Sequence, residues 1–544
     1  MRGTSKQSPW RALQAPGTPP RASARSRGPT SPVRASVRSR GPTSPARAML
    51  LGLCVAVSTS TLAPAMAWGE AKGGSRNPER AEVPAKALDE KWDPSRLRFP
   101  ALGQIPEVRP DRFELANGLV VYLLRDADFP DLSGRLLVRA GSIQDPPDRV
   151  GLGQLVGTVM RTGGSRAMPG DSLDLRLESI GASIETWVEE NSGGASFYCL
   201  ASQAEEILGL FADLVIHPSL PADKLELARV QVRRQIASRN DEPGAIAGRL
   251  IRQLVWGRDH PRARLVEYAT LDAIAAPDLA EYHRTWFVPD HAVLTITGDL
   301  DPAAMRLLLE RLFGAWPRSG APLPPDPPVP SAMDGAGGIH YAEVEAVTQS
   351  NIYLGQVGIR ADHPDYPSME IMGEILGGSW ASRILNLIRT QRGLAYAAGA
   401  NAGVGFSSPG TFTAMTLTRS DSTLVALSLL RGEVRRMVET PPTEEEVRRA
   451  RESLLNSFVF NYRTPAQVVN RMALNEFYGY PADFLVSYQK RLREVTPQSV
   501  HEAARRHLHP GRMPVLVVGN QKDFEAPLST LGEVHEVDLT IPAP

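Results

Sequence analysis

Gly151-Leu152-Gly153-Gln154-Leu155-Val156-Gly157-Thr158-Val159 reads as the opening turns of an amphipathic helix. Leu152, Leu155, Val156 and Val159 recur with the period of a buried helical stripe. Gln154 and Thr158 lie one helical turn apart and share another face, with Gly157 beside them. Upstream, Leu119-Val120-Val121-Tyr122-Leu123-Leu124 and Arg135-Leu136-Leu137-Val138-Arg139 predict paired strands after an Asn117-Gly118 turn. Downstream, residues 224–239 predict a charged helix with one apolar stripe. Strands occur both in hairpins and between helices. This favours an α+β fold, an antiparallel-rich sheet packed against helices, over a doubly wound parallel sheet.

The pattern occurs twice. Leu271-Asp272-Ala273-Ile274 matches Leu492-Arg493-Glu494-Val495, Pro289 matches Pro510, and Leu294-Thr295-Ile296-Thr297-Gly298-Asp299 matches Val515-Leu516-Val517-Val518-Gly519-Asn520, all at an offset of 221. The helix with Ala228-Arg229 pairs with the helix from Thr443 with Ala450-Arg451, and Trp256-Gly257 pairs with Tyr478-Gly479. So long a period indicates two copies of one domain, not a solenoid. Residues 108–316 are the first copy and residues 339–525 the second. Between them, residues 317–338 form a Pro-rich, semi-rigid linker. Residues 526–544 read as a tail.

Composition agrees. The 544 residues are 42% hydrophobic and 22% charged, as in soluble multidomain proteins. The zero net charge hides an asymmetry. Residues 1–67 hold nine Arg, one Lys and no acid, so the remainder carries 50 basic against 60 acidic residues, a net of −10. Such a domain is not an obvious nucleic-acid binder. Residues 1–48 repeat Ser-Arg-Gly-Pro-Thr-Ser-Pro at 26 and 39, a low-complexity basic extension that cannot bury a core. It reads as a basic binding arm or as an over-long start ahead of Met49. The apolar run Leu50-Leu51-Gly52-Leu53-Cys54-Val55-Ala56-Val57 and the small-residue site Ala65-Met66-Ala67 make residues 49–67 a secretory signal peptide. The run is too short for a stable membrane span. Residues 68–107 read as a flexible lead-in. After processing one thiol, Cys199, would remain, expected as a buried small hydrophobe in a strand.

Arg139-Ala140-Gly141-Ser142 together with the helix from Gly151 resembles the zinc-helix region of the M16 peptidases, the pitrilysin, insulinase and mitochondrial-processing-peptidase family. The resemblance spans residues 108–525 and implies two repeats of the LuxS/MPP-like metallohydrolase domain. In that family the frame carries His-x-x-Glu-His. Two imidazoles one turn apart reach one Zn²⁺, and the glutamate acts as general base on its water. Here the three positions are Gln154, Gly157 and Thr158. The family's distal glutamate ligand corresponds to Gln235, ahead of Asn240-Asp241-Glu242-Pro243. The expectation is a degenerate site: no metal and no cofactor bound by this chain. None of the ten histidines forms a replacement His-x-x-x-His beside an acid. His507-x-His509 comes nearest, and the repeat equates it with the structural Trp286 and Val288.

A second signature is kept. Gly377-Gly378-Ser379-Trp380-Ala381-Ser382-Arg383-Ile384 leads through Arg389 to Arg392-Gly393-Leu394-Ala395-Tyr396. This is similar to the family's Gly-Gly-x-x-x-Ser-Arg-Leu helix ending in Arg-Gly-Leu-Ala-Tyr. Gly393 would end the helix, leaving Arg389 on its last turn and Tyr396 on the following strand. The resemblance implies that Arg389 and Tyr396 donate hydrogen bonds to the substrate and its developing oxyanion. Taken alone, Arg389 would be a helix-end cation and Tyr396 a core aromatic. Family members with this split pattern act as non-catalytic subunits of heterodimers in which the partner brings His-x-x-Glu-His and the zinc. The implied protein is inactive alone and exported, to the periplasm of a Gram-negative cell or otherwise outside the cell. It would help bind unfolded peptides, partly as an added strand at a sheet edge, with Gly181-Ala182-Ser183-Ile184-Glu185-Thr186-Trp187 as edge or ordinary half-buried strand. The alternative is a structural or peptide-binding scaffold like the core subunits of the bc1 complex. No Gly-x-Ser-x-Gly elbow supports an autonomous hydrolase.

Overall fold

The Asn117-Gly118 turn closes a hairpin between β1 (Asp111–Glu114) and β2 (Val120–Arg125). Gly118 takes φ +91°, and the buried Asn117 amide donates to the carbonyls of Phe313 and Trp316. This computed structural model describes residues 108–331 and 337–543. The basic extension, signal peptide and lead-in lie outside the described residues.

The first half continues with β3 (Asp131–Val138), α1 (Leu152–Gly163), α2 (Gly170–Ile180), β4 (Ser183–Val188), β5 (Gly193–Leu200), α3 (Ala204–Ile216), α4 (Ala222–Ala237), α5 (Pro243–Trp256), α6 (Tyr268–Asp272), α7 (Ala276–Trp286), β6 (Ala292–Gly298) and α8 (Pro302–Phe313). The second half holds β7 (Ile339–Glu343), β8 (Gln349–Val357), β9 (Ile359–Arg360), α9 (Tyr366–Gly373), β10 (Ala395–Ala400), β11 (Val404–Gly405), β12 (Thr411–Arg419), α10 (Thr423–Glu439), α11 (Glu444–Asn461), α12 (Pro465–Phe477), α13 (Phe484–Arg493), α14 (Pro497–His507), β13 (Val515–Gly519) and β14 (Val534–Glu536).

The first sheet has the order β1-β2-β6-β3-β5-β4. The expected β2–β3 pairing is corrected: β6 lies between them, parallel to β2 and antiparallel to β3. The reason is burial. Every residue of β6 is buried, so it needs a partner on each side, as a central strand does. The second sheet, read in the same sense, is β14-β7-β13-β8-β12-β10. Strand for strand it repeats the first, with β13 in the place of β6 and β10 in that of β4. The segment read as a tail supplies β14, the edge equivalent to β1, but parallel to β7 where β1 is antiparallel to β2.

The described residues of the two halves interlock in one compact unit. α5 leaves the first half to pack Ile246, Ala247, Leu250 and Ile251 against Ala342, Leu516 and Val518 of the second sheet. α12, its repeat equivalent, packs Val469, Ala473 and Phe477 against Tyr122, Leu137 and Val293 of the first. Glu476 adds hydrogen bonds from Arg112 and Tyr122. Residues 537–543 cross back, with the Asn240 amide donating to the Leu539 carbonyl and Ile541 packed on the first core. Among the described residues no helix is long and apolar enough to cross a membrane.

Candidate functional site: a neutral zinc-helix frame and an Arg/Tyr pair

The N-terminus of α1 is fixed by a buried carboxylate. Asp145 accepts from the backbone N–H groups of Gly151 and Gly153 at 2.8 and 2.9 Å. Burial raises its pKa to about 6 despite these bonds. Leu152, Leu155, Val156 and Val159 all point into the core, as their spacing predicts. Gln154 and Thr158 stay partly exposed on the other face.

The four degenerate positions are neighbours. Gln154 Nε2 donates to Gln235 Oε1 on α4 at 3.3 Å. Thr158 turns its hydroxyl back to the Gln154 carbonyl at 3.0 Å. Gly157 lies under β4, whose Thr186 hydroxyl donates to its carbonyl at 2.7 Å. A Cβ at 157 would sit 2.5 Å from the Val188 nitrogen, so α1 and β4 approach more closely than any side chain there permits. Amide and hydroxyl oxygens are neutral, weak partners for Zn²⁺, and position 157 offers no base. This donor set does not fit a catalytic zinc.

β4 is the edge of its sheet, paired with β5 alone, and is also half-buried, with Ile184 in the core and its neighbours facing out, so both readings of that segment hold. Cys199 is buried in β5, and burial pushes its thiol up to about 11.

In the second half, α9 runs on into a π-helical turn, Glu374–Gly378, and a second π-helical segment, Leu385–Gln391, carries Arg389. The signature was read as an ordinary helix. The wider turns keep Ile384 and Ile388 in the core, and such turns recur at functional sites. Arg383, inside the signature, is structural. It forms a two-pronged pair with Glu446 on α11 at 2.6 and 2.9 Å. Gly393 closes the segment at φ +64°, with its N–H donating to the Arg389 carbonyl at 3.1 Å.

Tyr396 then stands on β10 at a register shift between Ala395 and Ala397. A bulge of this kind re-aims a side chain. Tyr396 is 76% exposed, so it is no core aromatic. The Arg389 guanidinium lies 5.6 Å from the centre of its ring and 5.1 Å from that of Trp380. Among the described residues the Arg389 side chain makes no hydrogen bond or ion pair. The expected Arg/Tyr pair is therefore together, with the tyrosine exposed, the arginine half-buried, and donors to spare.

One cluster joins His507, half of the His507-x-His509 pair, to two residues that the sequence did not single out. His363, Asp365 and His507 are the only three described side chains of metal-binding type whose ligand atoms gather, within 4.8 Å. Their contacts read as a latch. His507 Nε2 meets Asp365 Oδ2 at 2.7 Å, Arg506 takes the same oxygen, and His363 Nδ1 accepts the Asp365 N–H at 3.0 Å. His507 ends α14 as Trp286 ends α7, and only the fold brings it to residues of the loop before α9.

Residues 121–264 match the family profile described as insulinase (peptidase family M16), and residues 273–454 the one described as peptidase M16 inactive domain. An uncharacterized zinc protease of Streptomyces coelicolor is 25% identical over 328 residues, covering 59% of this chain and 70% of that protein. The non-peptidase homolog YmxG of Helicobacter pylori is 21% identical, over 71% of this chain and 88% of its own. Among solved structures, a peptidase M16 inactive domain from Pseudomonas fluorescens superposes with a TM-score of 0.69 at 23% identity, covering 76% of this chain and 98% of that one. The periplasmic protease PqqL of Escherichia coli gives 0.64 at 15%, over 83% of this chain and 49% of its own. With both halves matched and their two sheets repeating one topology, the chain belongs to the M16 peptidase family.

Proposed function

We propose that the protein is the non-catalytic subunit of an exported, heterodimeric M16 peptidase. One observation carries the reading: the frame around Gln154 offers a metal only neutral groups, while Tyr396 stands exposed and the half-buried Arg389 beside it has no carboxylate partner among the described residues. Zinc would belong to a partner subunit bearing His-x-x-Glu-His and would activate the attacking water there. This chain's part is electrophilic. The Arg389 guanidinium and the Tyr396 hydroxyl donate to carbonyl oxygens of a bound peptide and hold its backbone. Unfolded segments would pair with a sheet edge, which reads main chain and not sequence. The leader at residues 49–67 supports export, to the periplasm in a Gram-negative cell.

Reconstitution tests this. Alone, the chain should cleave no unstructured peptide. Mixed with a zinc-bearing M16 subunit from the same organism, it should raise turnover. Arg389→Ala and Tyr396→Phe should each lower kcat by roughly tenfold or more with unchanged melting. Turnover indifferent to both variants would favour a peptide-binding scaffold instead. Cleavage by the chain alone, inhibited by chelators, would end the proposal.

A further inference from the structure

Trp380 is 80% exposed, more than any other large apolar side chain described. An exposed tryptophan is costly to leave in water, and its position is not accidental. Gly377 lies so close to β10 that a Cβ there would fall 1.8 Å from the Ala400 nitrogen. Only glycine lets the π-helical turn press on the strand, and the chain emerging from it carries Trp380 to Arg389, 5.1 Å from its ring centre. Trp380, Arg389 and Tyr396 thus form one cluster, two exposed rings about a half-buried guanidinium, of the three residue types that dominate binding hot spots. Arg389 is held by ring faces and not by a carboxylate, so its N–H groups stay free for a ligand.

The strand beside the cluster lacks selectivity of its own. β10 is a sheet edge, paired with β12 alone, and apart from Tyr396 it is built of alanine and glycine. A peptide pairing there would be read by its main chain only. Side-chain preference must then come from the aromatic cluster. We propose that Trp380 is the floor of a side-chain subsite that takes an aromatic residue of an extended peptide, next to the carbonyl held by Arg389. The inference rests on the proposed peptide-binding role. It adds a preference that the Arg/Tyr pair alone does not supply. Stacking of a substrate ring on Trp380, in offset or edge-to-face geometry, provides it.

Binding to the chain alone separates the two ideas, because no zinc subunit is needed. Fluorescein-labelled unstructured decapeptides with one central Phe or Ala would be titrated by anisotropy. The Phe peptide should bind roughly three- to tenfold more tightly. Trp380→Ala should erase that preference, so that the Phe and Ala peptides bind alike, and Trp380→Phe should restore part of it. Arg389→Ala should weaken both peptides alike. A preference that survives Trp380→Ala, or no saturable binding of either peptide, overturns the subsite. A preference lost in Trp380→Ala while Arg389→Ala leaves a reconstituted peptidase at full turnover would keep the subsite and overturn the assisting role.

Discussion

The side-chain amides of Gln154 and Gln235 meet in a single hydrogen bond of 3.3 Å. Two helices far apart in sequence, α1 and α4, converge at the positions where the family resemblance places zinc ligands. At those positions this chain carries neutral amides. The two amides partner each other where two ligands would share a cation. At Gly157 the close approach of β4 leaves no room for a side chain.

Rebuilding the ligands tests how much of the site survives. The triple variant Gln154→His, Thr158→His, Gln235→Glu should bind zinc saturably, read by calorimetry, and the parent chain titrated alongside should not. Gly157→Glu should behave oppositely. Its Cβ would collide with the Val188 nitrogen at 2.5 Å and the Trp187 carbonyl carbon at 2.8 Å. The strand must move, at a cost of about 1–3 kcal/mol. A Gly157→Glu chain with an unchanged denaturation midpoint would show that α1 and β4 are not so tightly joined.

The reciprocal exchange of α5 and α12 predicts cooperative unfolding. Each sheet is covered by the other half's helix, so neither half keeps its buried faces alone. Val469 is fully buried against the first sheet. Val469→Asp places an unpaired carboxylate there and should cost about 3 kcal/mol or more. Circular dichroism and tryptophan fluorescence should still report one shared transition in urea. Two separated transitions would mean that the halves are energetically independent.

Much of this was legible in the sequence, for identifiable reasons. The stripe Leu152, Leu155, Val156, Val159 fixed a helix because its period is local. The repeat was visible because β6 and β13 are both dense apolar runs at a constant offset. Strand order was less legible. β2 and β3 are neighbours in sequence, and nothing local says that β6, more than 150 residues on, separates them. The Arg383–Glu446 pair and the His363, Asp365, His507 latch were invisible because each joins segments distant in sequence. Trp380 was in plain view, but exposure is a property of the fold.

Cys199 gives a probe of the first core. It is buried in β5, with its thiol raised to about 11 by burial and by the nearby Asp131 carboxylate. In a chain starting at Trp68 it is the one thiol in the sequence. A disulfide reagent at pH 8 should therefore react slowly with the native protein and fully after denaturation. Fast reaction in the native state would place β5 outside the core.

The Arg383–Glu446 pair should make the second signature acid-sensitive. Burial by itself would raise the Glu446 carboxyl. Hydrogen bonds from Arg383 and from the Thr443 N–H outweigh it and bring the pKa down to about 2. An unfolded glutamate titrates near about 4.3, so the folded value is depressed. The pair's contribution is then fully present above that value and disappears as pH falls toward the folded pKa. Both side chains are largely buried, 9% and 18% exposed, which spares the pair from most solvent screening. Glu446→Gln should therefore lower stability by about 2–3 kcal/mol at pH 7, partly by leaving the Arg383 charge unpaired. Between pH 5 and pH 3 the gap between parent and variant should narrow steadily in urea titrations. A gap that stays constant across that range would mean that packing around Glu446, and not its charge, holds the segment that carries Arg389.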